Sequence, residues 1–454
     1  MSEQPPVDEE TSPVHPPDEP TPAAAPQRLA PVTAGERYEA VDVLRGFAVL
    51  GILVMNVYAF AMPFPAYGNP TLYGGSGIHF ATWVTTHLFF DQKFMAIFAM
   101  LFGAGLVLMA ERAEARGRGA FAAVYYRRML WLIVIGAVHG YLIWFGDILV
   151  NYACCGLLLY PLRRLKPRTL IAIALPLLLV PLPITVRMGR SMLQAKADGE
   201  ALEQRLAAGG TLTEEEEEQR ESWQQMRPMM FPTREDVLEQ IDIHRGGYPG
   251  IFAARLPVTL ALQTWLLLTF GLWRMGGMMI LGMGLAKLGV FRAGRSATFY
   301  RRWIALGYGL GLPIVAWSAY DLTSHGFEPT HMMEGGFFFN YFGSVAVALA
   351  HIALVMSVVR SGALAGLRAR LAAVGRMALT NYLMHSILLT TVFYGYALGL
   401  YGHVERFYQM GFVLAVWILQ LAWSPWWLER FRFGPFEWLW RSLTYWRRQP
   451  MRAA

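Results

Sequence analysis

Residues 41–60, VDVLRGFAVLGILVMNVYAF, decide the fold. After Arg45 the stretch runs to Phe60 without a charged side chain. An α-helix needs about 20 predominantly apolar residues to cross the hydrocarbon core of a bilayer. The polar residues within it are ordered along the axis. Asp42 and Arg45 stand three apart at one end, on one helix face. Asn56 follows eleven residues further in, about 16 Å along the axis at the α-helical rise. An interfacial anchor and an anion or headgroup site both account for Asp42 and Arg45, the second because arginine offers a bidentate fork.

Outward from this stretch lie nine more apolar runs, at roughly 79–110, 128–145, 147–162, 169–187, 255–290, 303–320, 337–359, 373–399 and 408–428. They predict an all-α, polytopic membrane bundle of about ten transmembrane helices. Composition agrees: of 454 residues 55% are hydrophobic and 16% charged, against about 25% charged in an average soluble chain. A soluble enzyme is excluded. Cys154 and Cys155 are adjacent inside an apolar run, where pairing would need strained geometry. They read as packing residues, and neither a disulfide framework nor a metal site is expected.

The net charge of +7 is unevenly placed. Residues 1–37 carry seven acids and two bases, and residues 190–250 thirteen acids and seven bases, which leaves thirty bases against twelve acids in the apolar body. The bases concentrate in 111–128, 163–168, 287–302, 360–376 and after 430, while 63–78 and 321–336 have none. Ten crossings with both termini cytoplasmic place every basic loop inside, as the positive-inside rule requires. Nucleic acid is not an expected partner; membrane lipid is. The run 255–290 is too long for a simple span and holds Arg274 and Gly276-Gly277. A tilted helix, an interfacial helix plus a span, and a re-entrant pair all fit it, with loop parity requiring an odd number of crossings.

The expected organisation is a disordered acidic Pro/Ala-rich tail at 1–37, a five-span half at 38–187, an acidic extracytoplasmic segment at 188–254, a second five-span half at 255–430, and an interfacial amphipathic helix with a basic tail at 431–454. The tail lacks the basic start and apolar stretch of a cleavable signal peptide, so targeting is expected from the first span.

Ionisable residues inside a bilayer are costly and usually face a bundle interior or a cavity, so they are the candidate site. The second run holds His79, His87, Asp91 and Lys93, the last two able to neutralise one another. The third carries His139, with Asp147 and Asn151 just beyond. An imidazole oriented by a carboxylate is a general base near neutral pH, which makes His139 and Asp147 the catalytic candidates. In GRMALTNYLMHSI (residues 375–387), Arg376 marks the basic end, and Asn381 and His385 share one face at i, i+4. Interhelical hydrogen bonding is the alternative reading of that pair.

VDVLRGFAVLGILVMNV, KFMAIFAMLFGAGL, HGYLIWFGDIL, GRMALTNYLMHSI and GPFEWLWRSLTYW together resemble the YeiB-like family of bacterial membrane proteins of unknown function, over essentially residues 38–447. That family is distantly similar to membrane acyltransferases of the heparan-alpha-glucosaminide N-acetyltransferase type and to bacterial O-acyltransferases. The Arg45 to Asn56 interval resembles their Arg-x10-His spacing, with Asn56 in place of the histidine. An amide is no general base, so the resemblance leaves that role to another residue, His139 oriented by Asp147 first, with His87 and His385 behind it. It implies acyl-CoA as co-substrate, with no tightly bound cofactor, and a small-molecule or glycan acceptor. Asp42, Arg45, Asp91, Lys93, Arg376 and His385 would contact donor or substrate, and Asn56 and Asn381 would donate to the oxyanion. The competing reading is a transporter or a lipid- or small-molecule-binding protein lined by the same groups.

Overall fold

Each apolar run contains a helix in the computed structural model, which describes residues 38–115 and 121–452. The expected tail at 1–37 lies outside the described residues. Counting helices of eight or more residues, the order is α1 Glu39–Ala61, α2 Gly77–Phe89, α3 Lys93–Ala115, α4 Phe121–Val138, α5 Leu149–Leu159, α6 Pro167–Leu177, α7 Pro181–Ala207, α8 Glu214–Met230 and α9 Arg234–Arg245. Then follow α10 Tyr248–Gln263, α11 Leu272–Lys287, α12 Ala297–Ser324, α13 Phe337–Ser361, α14 Ala365–Arg376, α15 Ala378–Phe393, α16 Arg406–Arg430 and α17 Pro435–Tyr445. Among the described residues there is no strand, only an isolated bridge between Phe431 and Arg452.

Eight helical stretches are long and apolar enough to cross a membrane. The runs at 147–162 and 373–399 instead supply the shorter α5 and α15, which are mostly buried among other helices. Burial sorts the long helices. In α1, 83% of the apolar window is buried, against 22% in α12 and α16, so α1 is central and α12 and α16 are peripheral. On α12 the exposed Leu306, Leu310, Ile314 and Trp317 recur at helical spacing, a stripe that suits lipid.

Two runs differ from a plain span. The second is broken at Phe90–Gln92, where Gln92 adopts φ 63°. The break frees carbonyls, and side chains take them: Lys93 Nζ donates to the His87 carbonyl (2.6 Å) and His351 Nε2 lies 3.0 Å from the Phe89 carbonyl. A free carbonyl in hydrocarbon would cost several kcal/mol. The run 255–290 is one kinked path, α10, a π-helical turn at Leu267–Gly271 and α11. Residues 188–250 are largely helical, with Thr213 and Thr233 closing capping boxes onto Glu216 and Asp236.

The basic loops meet at one end of the bundle. There Arg292 pairs with Glu111, Arg368 with Glu39 (2.9 Å) and Arg164 with Glu114 (3.8 Å), while Trp440 of α17 donates to the Arg128 carbonyl (2.9 Å). At the other end Gly402 N donates to Ala61 O (2.8 Å) and His79 pairs with Glu405 (2.7 Å). α17 is more than the interfacial helix expected. Its buried Glu437 accepts from the backbone N–H groups of Leu379 (2.6 Å) and Thr380 (3.0 Å), and so caps α15 from outside.

Candidate functional site

His139 opens a π-helical turn, His139–Ile143, that ends α4. Such turns widen the backbone and recur at functional sites. Arg255 of α10 holds this one, donating to the carbonyls of Tyr141 (3.0 Å), Leu142 (2.6 Å) and Ile143 (2.6 Å). The chain then turns through Gly146, and Asp147 arrives at the N-terminus of α5, where its Oδ2 accepts from Val150 N (2.9 Å). That end of a helix favours a carboxylate.

The turn brings Asp147 Oδ1 to 2.8 Å from His139 Nδ1, as the sequence predicts. The other ring nitrogen, His139 Nε2, lies 2.8 Å from Ser386 Oγ of α15. With Nδ1–H donated to Asp147, Nε2 accepts the Ser386 hydroxyl proton, which gives the serine, imidazole and carboxylate order of an activated nucleophile. His139, Asp147 and Ser386 are all buried, and the Tyr382 ring packs edge-on to His139 at 5.3 Å.

Sequence reasoning missed Ser386, the residue after His385. A serine in an apolar helix ordinarily bonds back to its own helix, as Thr391 does to the Ile387 carbonyl (2.7 Å). Nothing in the one-dimensional pattern separates the two behaviours.

α1, α4 and α15 all leave the basic end. Arg45 to Asn56, Arg128 to His139 and Arg376 to Ser386 are eleven, eleven and ten residues, or about 15–16 Å of rise. The triad therefore lies about 15–16 Å in from the level of these arginines, about half the thickness of a hydrocarbon core, at the level of Asn56. The amide of Asn56 is half-buried and has no hydrogen-bond partner among the described residues.

Asn381 takes a different role from the one expected. Its Nδ2 donates to the Val374 carbonyl and to Ser424 Oγ (3.1 Å each), and its Oδ1 accepts from Trp423 Nε1 (3.2 Å). Both amide hydrogens are spent on helix packing, so the oxyanion role is corrected to an interhelical one. His385 joins the same contact with α16, its Nε2 lying 3.0 Å from Gln420 Oε1. Among the described residues, buried donors beside the π turn that lack partners include Trp144 Nε1, Gln263 Nε2 and Arg255 Nε. The Trp144 ring lies 6.3 Å from that of His139. A Cβ on Gly140 would come within 2.5 Å of Gln263 Nε2.

The remaining candidates lie apart from the triad. Asp91 and Lys93 are bridged by Asn340 of α13, whose Nδ2 donates to Asp91 Oδ2 and whose Oδ1 accepts from Lys93 Nζ (2.7 Å each). His87 Nδ1 is 3.3 Å from Asp91. This cluster closes the break between α2 and α3. At the basic end Arg45 pairs with Asp42 (2.8 Å), and Arg376 is exposed. α1 crosses α14 there so closely that a Cβ on Gly375 would fall 1.9 Å from the Asp42 carbonyl oxygen.

Residues 285–447 match the family model described as "Protein of unknown function (DUF418)". The chain is 32% identical over 434 residues to the uncharacterized protein YxaH of Bacillus subtilis, covering 93% of this chain and 98% of that one. To the uncharacterized protein YeiB of Escherichia coli it is 32% identical over 427 residues, covering 90% and 96%. No solved structure matches. With two relatives aligned over nearly their full length, the chain belongs to the YeiB-like, DUF418 family of uncharacterised multi-helix membrane proteins.

Proposed function

We propose that this protein is an acyltransferase of the bacterial cytoplasmic membrane, with its basic loops in the cytoplasm, moving an acyl group from a CoA-type thioester to a hydroxyl or amine of a small-molecule or cell-envelope acceptor. The observation that carries the reading is the hydrogen-bonded sequence Ser386, His139, Asp147. Ser386 Oγ attacks the thioester carbonyl while His139 Nε2 takes its proton. The Oγ–C bond forms, the C–S bond breaks, and the thiol leaves with that proton. The acceptor then attacks the acyl-Ser386 ester with His139 again as base, and the proton returns to Ser386. Asp147 holds the imidazole in the required tautomer.

Asn56 at the level of the triad, and Trp144 and Gln263 beside the π turn, have unspent donors that would supply hydrogen bonds to the developing oxyanion. Arg45 and Arg376 mark where the donor's phosphates rest, and an extended pantetheine arm covers the about 15 Å from that level to Ser386. Seating an anion at Arg45 requires displacing Asp42.

The test is covalent capture. Purified protein treated with a fluorophosphonate, or with an acyl-CoA series, is digested and mapped by mass spectrometry. Ser386 should carry the adduct, and His139→Ala should slow its formation by about 10³-fold or more while the protein stays folded. Adduct formation at the wild-type rate in His139→Ala would refute the assignment.

A further inference from the structure

At the end of the bundle away from the basic loops, Asp321 in the last turn of α12 and His325 at its C-cap stand at i, i+4. The chain then reverses through Gly326 (φ 62°) and Phe327 (φ 59°), both left-handed. Phe327 is not a glycine, so this backbone is strained. Its ring is held by burial against Trp83, edge-on at 5.1 Å. The reversal lays His331, in the short helix Pro329–His331, back over the same turn.

His331 Nε2 lies 2.7 Å from Asp321 Oδ2 and His325 Nδ1 3.6 Å from Asp321 Oδ1. The two imidazoles stack with centroids 3.7 Å apart and planes 14° from parallel. One ring nitrogen from each histidine and a carboxylate oxygen all lie within 4.8 Å of one another. Gly336 makes the room: a Cβ there would meet Asp321 Oδ2 and the His331 ring at 3.1 Å. Asp321 is buried, whereas His325 is exposed and His331 half-buried, so the open side of the group faces outward.

We propose that Asp321, His325 and His331 bind a divalent transition metal ion of the zinc class. Two imidazoles and one carboxylate are a common three-ligand set for such ions, with water in the fourth position. Ligands about 2.0–2.2 Å from a tetrahedral ion stand a little over 3 Å from one another. The group thus needs to contract by about 1 Å, and the rings must splay so that their lone pairs converge. His325 is free to make that move, giving up its contact with the Asp321 carbonyl oxygen (2.8 Å). The bound ion clamps the end of α12 to the segment that starts α13, two helices that pack closely along their length.

The experiment uses full-length protein in nanodiscs, purified without a histidine tag and stripped with chelator. Co²⁺ is titrated as the spectroscopic probe and Zn²⁺ content is measured by plasma mass spectrometry. One equivalent of Co²⁺ per chain should develop the visible d–d bands of a four-coordinate site, and Zn²⁺ should bleach them. Asp321→Asn and His331→Gln should each weaken uptake at least about tenfold while fluorophosphonate labelling of Ser386 is unchanged. His325→Gln, an exposed change, should do the same where either of those variants fails to fold. Absence of saturable, Zn²⁺-displaceable Co²⁺ uptake in the wild type, or equal uptake in a folded variant, would overturn the proposal.

Discussion

Ser386 differs from several threonines of the bundle in where its proton points. Thr82, Thr85 and Thr391 each fold back on a carbonyl four residues earlier, while Ser386 reaches across to His139 on another chain segment. What makes that contact chemical is Asp147 behind the ring. Exchanging Asp147 for Asn keeps the shape but reverses the hydrogen bond, because an amide nitrogen facing Nδ1 forces the proton onto Nε2. Asp147→Asn should therefore cut Ser386 acylation by about 10⁴-fold with little change in thermal unfolding, read by the rate of adduct formation. A loss below about tenfold would mean that Asp147 only caps α5.

The same scale shows what a sequence conceals. His139 and Asp147 are legible because eight residues and one turn separate them. Ser386 is 247 residues from His139 and looks like any small residue in an apolar helix.

Elements position these residues through backbone, more than through side-chain bulk. The π turn at His139–Ile143 leaves carbonyls that a regular helix would use internally, and Arg255 collects three of them. The break at Phe90–Gln92 is repaired likewise by Lys93 and His351. At the basic end the approach of α1 and α14 depends on having no side chain between them. Gly375→Ala would thrust a methyl into the Asp42 carbonyl and should cost about 1–3 kcal/mol as overpacking, lowering the melting temperature in detergent. Gly366→Ala, on the same helix with nothing within 4 Å, is the control and should not lower it. Equal behaviour of the two would show that the crossing is loose.

At the scale of the whole molecule, the acidic segment is joined to the bundle at the end away from the basic loops. His244 of α9 stacks on Tyr401 at 4.3 Å, its carbonyl accepts from Gly395 N (2.8 Å), and Arg245 Nε donates to the Tyr401 carbonyl (2.8 Å). Burial pushes the His244 imidazole below its ordinary value of 6.5; its bond to the Gln240 carbonyl opposes this, and nearby Arg255 adds to it. The docked state thus prefers neutral His244. Its contribution to stability is full above about pH 6.5 and is lost as the pH falls below that toward the depressed folded value. Amide exchange across residues 190–245 should accelerate between pH 7.5 and 5, and His244→Phe, which keeps a ring on Tyr401, should remove most of that acceleration. Undiminished acid sensitivity in His244→Phe would assign it to another group.

The sequence by itself determined the membrane class, the runs that become helices, the segregation of bases to one end and the pairing of His139 with Asp147. Each follows from local hydropathy, from charge or from short separation along the chain. Tertiary structure alone decided that Ser386 completes the triad, that Asn381 and His385 serve α16, that Asn340 bridges Asp91 to Lys93, and that Asp321, His325 and His331 converge. The reason is physical. In an apolar helix a polar side chain must find a partner, and which partner it finds depends on how helices far apart in sequence are rotated and crossed, which close backbone packing settles.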